Sequence, residues 1–75
     1  MERIEGYIII EVQTQLDGTS AYLVETEPIR NNADSTFYLK MSSAAISTVP
    51  IHTVKLFDIY GNELMTGTYD HREVD

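Results

Sequence analysis

No cysteine occurs among the 75 residues, so neither a disulfide framework nor a thiolate metal site can hold this fold together. A domain of this length buries only about 60% of the surface its unfolded chain exposes. The core is therefore one compact cluster, and association with another chain is an open route to more buried area. Cations are scarce too: five Lys and Arg face twelve Asp and Glu, a formal net charge of −7. The acids are spread, with seven against three bases in residues 1–40 and five against two in residues 41–75. Such a field disfavours phosphate backbones and anionic lipid and steers basic partners. Direct nucleic-acid binding and membrane association are not expected. Residues 1–6 lack the basic start and long apolar run of a signal peptide, and residues 7–10 are too short to cross a bilayer. A cytoplasmic location is the resulting expectation.

Chemistry-bearing clusters are sparse. The four glycines Gly6, Gly18, Gly61 and Gly67 are scattered, and no phosphate-cradling glycine cluster precedes a helix. His52 and His71 are the two imidazoles. A tight last hairpin would set them opposite each other, with Asp70 or Glu73 nearby as a further ligand for a metal such as Zn²⁺. Two histidines and a carboxylate at a chain end read as surface residues, so no metal or other cofactor is expected. A nucleophile, a base and an orienting acid do not converge in any pattern of this sequence, so no enzymatic activity is expected. The carboxylates lack the alternating oxygen ligands and glycine bend of a calcium loop.

What is present is strand-forming material, with 43% of the residues apolar. Residues 7–14 have the β-branched density of a strand, and alternation sets Ile8, Ile10 and Val12 on one face with Glu11 and Gln13 on the other. Asp17 and Gly18 suit a tight turn leading to a strand over 20–26. With those two as the turn, Val12 faces Leu23 and Thr14 faces Ala21. A three-residue loop with a bulge would instead bring Tyr22 and Val24 onto the face of Ile8, Ile10 and Val12. Residues 27–35, with Pro28 and a run of Asn, Asp and Ser, read as a loop. Residues 36–41 alternate, with Phe37, Leu39 and Met41 on one side, and read as a third strand. Residues 42–47 are ambiguous between one helical turn, a strand and a loop. Residues 51–59 and 64–69 form a second hairpin around Gly61 and Asn62, with Val54, Leu56, Met65 and Tyr69 on one face. Its other face carries Phe57, Ile59 and Leu64, which something must cover.

These elements predict an all-β domain spanning residues 1–75: a small five-stranded antiparallel barrel or strongly curled sheet, SH3-like or OB-like in size, with a frayed tail over residues 70–75. The runner-up is an open antiparallel sheet with residues 42–47, or a second subunit, laid against its apolar side. The function that follows is a small acidic protein-binding module working through a sheet surface, in its sharper form an inhibitor or mimic of DNA charge acting on a basic, nucleic-acid-binding protein. The alternative is a structural subunit of a homo-oligomer, a dimer first, or of a larger assembly. Tyr22, Tyr38, Phe57, Ile59 and Leu64 are the expected contact residues, since tyrosine and exposed apolar side chains favour interfaces. Glu11, Glu25 and Asp58 are the expected acidic patch.

Overall fold

Pro28 ends the second strand, and beyond it the apolar side chains Ala33, Phe37, Met41 and Ala44 recur every three or four residues. That spacing aligns them along one side of a helix. The computed structural model, which describes residues 6–72, accordingly has a 16-residue helix within an otherwise antiparallel chain. Its elements are β1 (Tyr7–Thr14), β2 (Ser20–Glu27), α1 (Arg30–Ala45), β3 (Ile51–Asp58) and β4 (Glu63–Asp70). The four strands form one sheet in the order β2, β1, β3, β4, antiparallel throughout, with β2 and β4 as its edges.

The all-β, five-stranded barrel or curled sheet expected from the sequence is thereby corrected to an open four-stranded sheet with one helix on one face. Of residues 27–35, expected as a loop, only Pro28 and Ile29 connect β2 to α1, and residues 30–35 with 36–41, expected as a strand, are helical. Phe37 is 4% exposed, whereas Leu39, assigned to the same strand face, is 67% exposed. Two alternating residues cannot differ so much on one strand face, but on a helix they lie about 200° apart. The short turn expected over residues 42–47 is the end of this same helix, where Ile46 and Ser47 bond back to the carbonyls of Ser43 and Ala44.

The core lies between helix and sheet. Ile9, Ala33, Phe37, Val54 and Leu56 are buried there, with Tyr7, Met41 and Met65 packed around them. Gly67 sits beneath Met41, and a side chain at that position would collide with the Met41 thioether. The space over Gly67 is filled by this helix side chain. Facing Val54, Gly67 lets α1 approach β4 closely.

Both hairpins use one device. Gln15 and Thr19 close the first loop and Asp58 and Asn62 the second, each with a glycine third in the loop, Gly18 at φ 89° and Gly61 at φ 88°. This is the three-residue loop with a left-handed glycine. It makes Val12 face Tyr22 and Thr14 face Ser20, in place of the two-residue-turn register. In the second hairpin Val54 faces Gly67 and Leu56 faces Met65, two residues from the expected pairing, with a bulge between Leu56 and Phe57. A shift of two preserves which side each residue occupies, so Val54, Leu56, Met65 and Tyr69 still share a face. Asp70 belongs to β4, and the backbone N–H of His71 bonds to the Pro50 carbonyl at 2.7 Å. Of the tail expected over residues 70–75, residues 73–75 lie outside the described residues.

The start of α1 is bare: Ile29 occupies the cap position with no side-chain hydrogen bond, and the first turn carries no acid. Ile29 is exposed, so its replacement loses little packing. Ile29→Ser is expected to stabilise the fold by about 1 kcal/mol by accepting a free helix N–H. For a domain of this size that is a rise of about 4–8 °C in Tm, readable by thermal circular dichroism.

Candidate interaction surface

The helix covers one face of the sheet, and strand alternation decides what it covers. From β1 it takes Tyr7, Ile9, Glu11 and Gln13; from β3 it takes His52, Val54 and Leu56. Ile8, Ile10 and Val12, the apolar face read from alternation, therefore lie on the helix-free side, and Glu11, on the other face, lies beneath α1. The run Ile8, Ile9, Ile10 offers apolar groups to both sides, so alternation alone does not choose between them.

Beneath the helix, Glu11 is 7% exposed and His52 4%. Glu11 Oε1 accepts a 2.8 Å hydrogen bond from Gln13 Nε2, and Oε2 lies 3.6 Å from Lys40 Nζ. Lys40 Nζ also reaches Glu25 Oε1 at 3.3 Å. The His52 Nε2 stands 3.2 Å from Glu11 Oε1. Neither ring nitrogen of His52 meets hydrogen-bonding geometry with an atom of the described residues. Burial pushes the Glu11 carboxyl up, but the Gln13 hydrogen bond, the adjoining His52 ring and the Lys40 charge together outweigh it, and the pKa falls below its ordinary value.

The expected acidic patch is divided by this arrangement. Glu11 and Glu25 share Lys40, one of them buried, while Asp58 closes the second hairpin by accepting from the backbone of Tyr60 and Asn62 and from the Asn62 amide. Those bonds hold the Asp58 carboxyl below its usual range, the Asn62 side chain contributing most. The two histidines do not meet. His52 faces Tyr69 across the strands, and His71 stacks on Tyr69 with its Nε2 2.7 Å from the Ala44 carbonyl. Among the described residues no three His, Cys, Asp or Glu side chains gather as metal ligands would, and no helix is long and apolar enough to cross a membrane.

The opposite side of the sheet has no element over it among the described residues. Cross-strand pairing builds it row by row. Val24, Ile10, Lys55 and Thr66 form one row, and Tyr22, Val12, Thr53 and Thr68 the next. Thr26, Ile8 and Phe57 lie toward one end, joined by Glu63 and Leu64 at the bulge; Ser20, Thr14, Ile51 and Asp70 lie at the other. Of the five expected contact residues, Tyr22, Phe57 and Leu64 are brought together here. Ile59 stands in the adjoining turn, against Gly6. Tyr38 is on the outer side of α1, with its ring edge-on to Phe37 at 5.5 Å. The contributions of Ile8, Ile10, Val12 and Val24 were missed as contact residues, and the signal for them was the isoleucine run that serves both faces.

Polar side chains on this face are largely satisfied within the chain. Thr53 and Thr68 hydroxyls are 3.0 Å apart, as are those of Thr14 and Ser20. Lys55 Nζ lies 2.8 Å from Glu63 Oε1, and Arg72 Nη2 2.6 Å from Asp70 Oδ2. The face therefore carries balanced charge within a chain of net charge −7. The chain matches no protein-family model, no curated protein and no solved structure.

Proposed function

We propose that this chain is a protein-binding module whose contact surface is the helix-free face of its sheet. The observation that carries the reading is a contiguous apolar field of Ile8, Ile10, Val12, Tyr22, Val24, Phe57 and Leu64 on one open side. Tyr22 and Val24 are 66% and 61% exposed. Monomeric soluble proteins rarely leave apolar patches larger than a few hundred Å² open to water, and larger ones mark interaction sites. The balanced ion pairs imply a partner that contributes apolar surface to this face; the acidity lies elsewhere and acts on solubility and encounter.

The test is a photo-crosslinking comparison in the producing cell. p-Benzoylphenylalanine in place of Tyr22 reports the open face, and the same residue in place of Tyr38 reports the outer side of the helix. Crosslinks to protein from position 22, absent from position 38, are expected. No adduct at position 22, or equal labelling at both positions, overturns the reading.

A further inference from the structure

We infer that the occupant of the helix-free face is a second copy of this chain, packed sheet against sheet in a two-fold dimer with the two helices outermost. This rests on the reading above that the helix-free face is the binding surface, and adds the identity of the partner. Three observations converge on it.

The first is area. Four strands of eight residues, at about 3.3 Å per residue and 4.8 Å between strands, present a face of about 500 Å² in projection. With side-chain relief the accessible area approaches the roughly 800 Å² per partner that a stable interface buries. The second is polar satisfaction. The pairs Thr53–Thr68, Thr14–Ser20, Lys55–Glu63 and Arg72–Asp70 are closed within one chain. Thr26 and Thr66 are exposed on the edge strands, within reach of water. A surface whose ion pairs and central hydroxyls already have partners in their own chain loses fewer hydrogen bonds to water when it is buried. Its natural complement is a surface of the same kind, which a second copy supplies.

The third is charge placement. At net −7 two copies repel one another, and docking is tolerable only through a face on which charge balances. On this side Lys55 and Arg72 are matched by Glu63 and Asp70. The other acids of the sheet and its loops are elsewhere: Asp17 is in the first loop, Asp58 ends β3 in register with Tyr7, and Glu25 pairs with Lys40 on the helix side of β2. The small core points the same way. Five buried side chains form the main cluster on the helix side, and a second apolar layer is the gain that dimerisation brings.

The experiment uses the intact chain in sedimentation velocity, joined with a distance measurement between spin labels. The absence of cysteine makes Ser42→Cys, exposed on the outer side of α1, a unique labelling site. A dimer is expected whose mass persists at moderate salt. Stacked faces about 10 Å apart with helices outside put the two labels about 40 Å apart, whereas pairing of two β2 edges into one continuous sheet puts them about 20 Å apart. Val12→Lys places a charge on the open face without touching the helix-side core, and is expected to weaken the dimer at least about 100-fold with unchanged far-ultraviolet dichroism.

A monomer at every concentration, a distance near 20 Å, or a dimer indifferent to Val12→Lys overturns the inference. A monomer that still crosslinks another protein from position 22 removes the second copy and leaves the binding surface standing. A monomer with no adduct from position 22 removes both.

Discussion

Phe37→Ala is expected to cost about 3–5 kcal/mol, the usual consequence of emptying a buried aromatic site. The ring is 4% exposed in a cluster with Ile9, Ala33, Val54 and Leu56, so its loss leaves a void at the centre of the helix–sheet contact. The total stability of a small domain is about 5–15 kcal/mol, so the variant keeps only part of its cooperative unfolding transition. Leu39→Ala, two residues on, is expected to change stability by no more than about 0.5 kcal/mol, because that side chain is already in water. Urea unfolding of both variants decides the matter. Equal losses would mean that residues 37 and 39 share one buried strand face and that α1 is wrong.

Removing the Glu11 carboxylate is the second large perturbation. Glu11→Ala leaves His52 buried without its acidic neighbour and gives Lys40 only Glu25, which is half exposed. The expected loss is about 2–4 kcal/mol near neutral pH, since truncating one member of a buried charge cluster strands the others. Acid titration adds an independent readout. The folded-state pKa of Glu11 is depressed, so its contribution is fully present above the unfolded value and disappears as pH falls through the folded one. Wild-type stability should therefore decline through the acidic carboxylate range more steeply than that of Glu11→Gln, which keeps the shape and cannot ionise. Parallel acid limbs in the two proteins would show that Glu11 is not the linked group. Asp70, held at about 2 by the Arg72 side chain, is fully exposed and adds little to this contrast.

The cluster also illustrates why one part of the site was unreadable beforehand. Glu11 and Gln13 in a strand of isoleucines suggest the wet side, and the rule holds for most strands. Here the polar pair is covered because Ile9 shares their side, and Ile9 is what meets Phe37, Val54 and Leu56. A charge under the helix is tolerated because Gln13, Lys40 and His52 surround it. Of those three only Gln13 is near in sequence. Lys40 comes from α1 and His52 from β3, so the compensation exists only once the chain is folded.

Several features were determined by the sequence itself. The four strands over residues 7–14, 20–27, 51–58 and 63–70 follow from β-branched runs bounded by the two glycine loops, all of them local effects. The side of the second hairpin holding Val54, Leu56, Met65 and Tyr69 was likewise legible, because an error of two residues in register leaves every side chain on its own face. The demand for something to cover Phe57 and Leu64 came from the same alternation.

Tertiary structure alone decided the rest. The helix over Arg30–Ala45 is built partly from Asn, Asp, Ser and Thr, which are weak helix formers, and the exposed Tyr38 and Leu39 blur its apolar stripe. It forms because Ala33, Phe37, Met41 and Ala44 find a sheet to pack on, and packing supplies most helix stability in proteins. Which side of β1 that helix would cover was also beyond local reading, since Ile8, Ile9 and Ile10 are apolar in both directions. The choice of Ile9 for the core is what turns Ile8, Ile10 and Val12 outward and makes the open face.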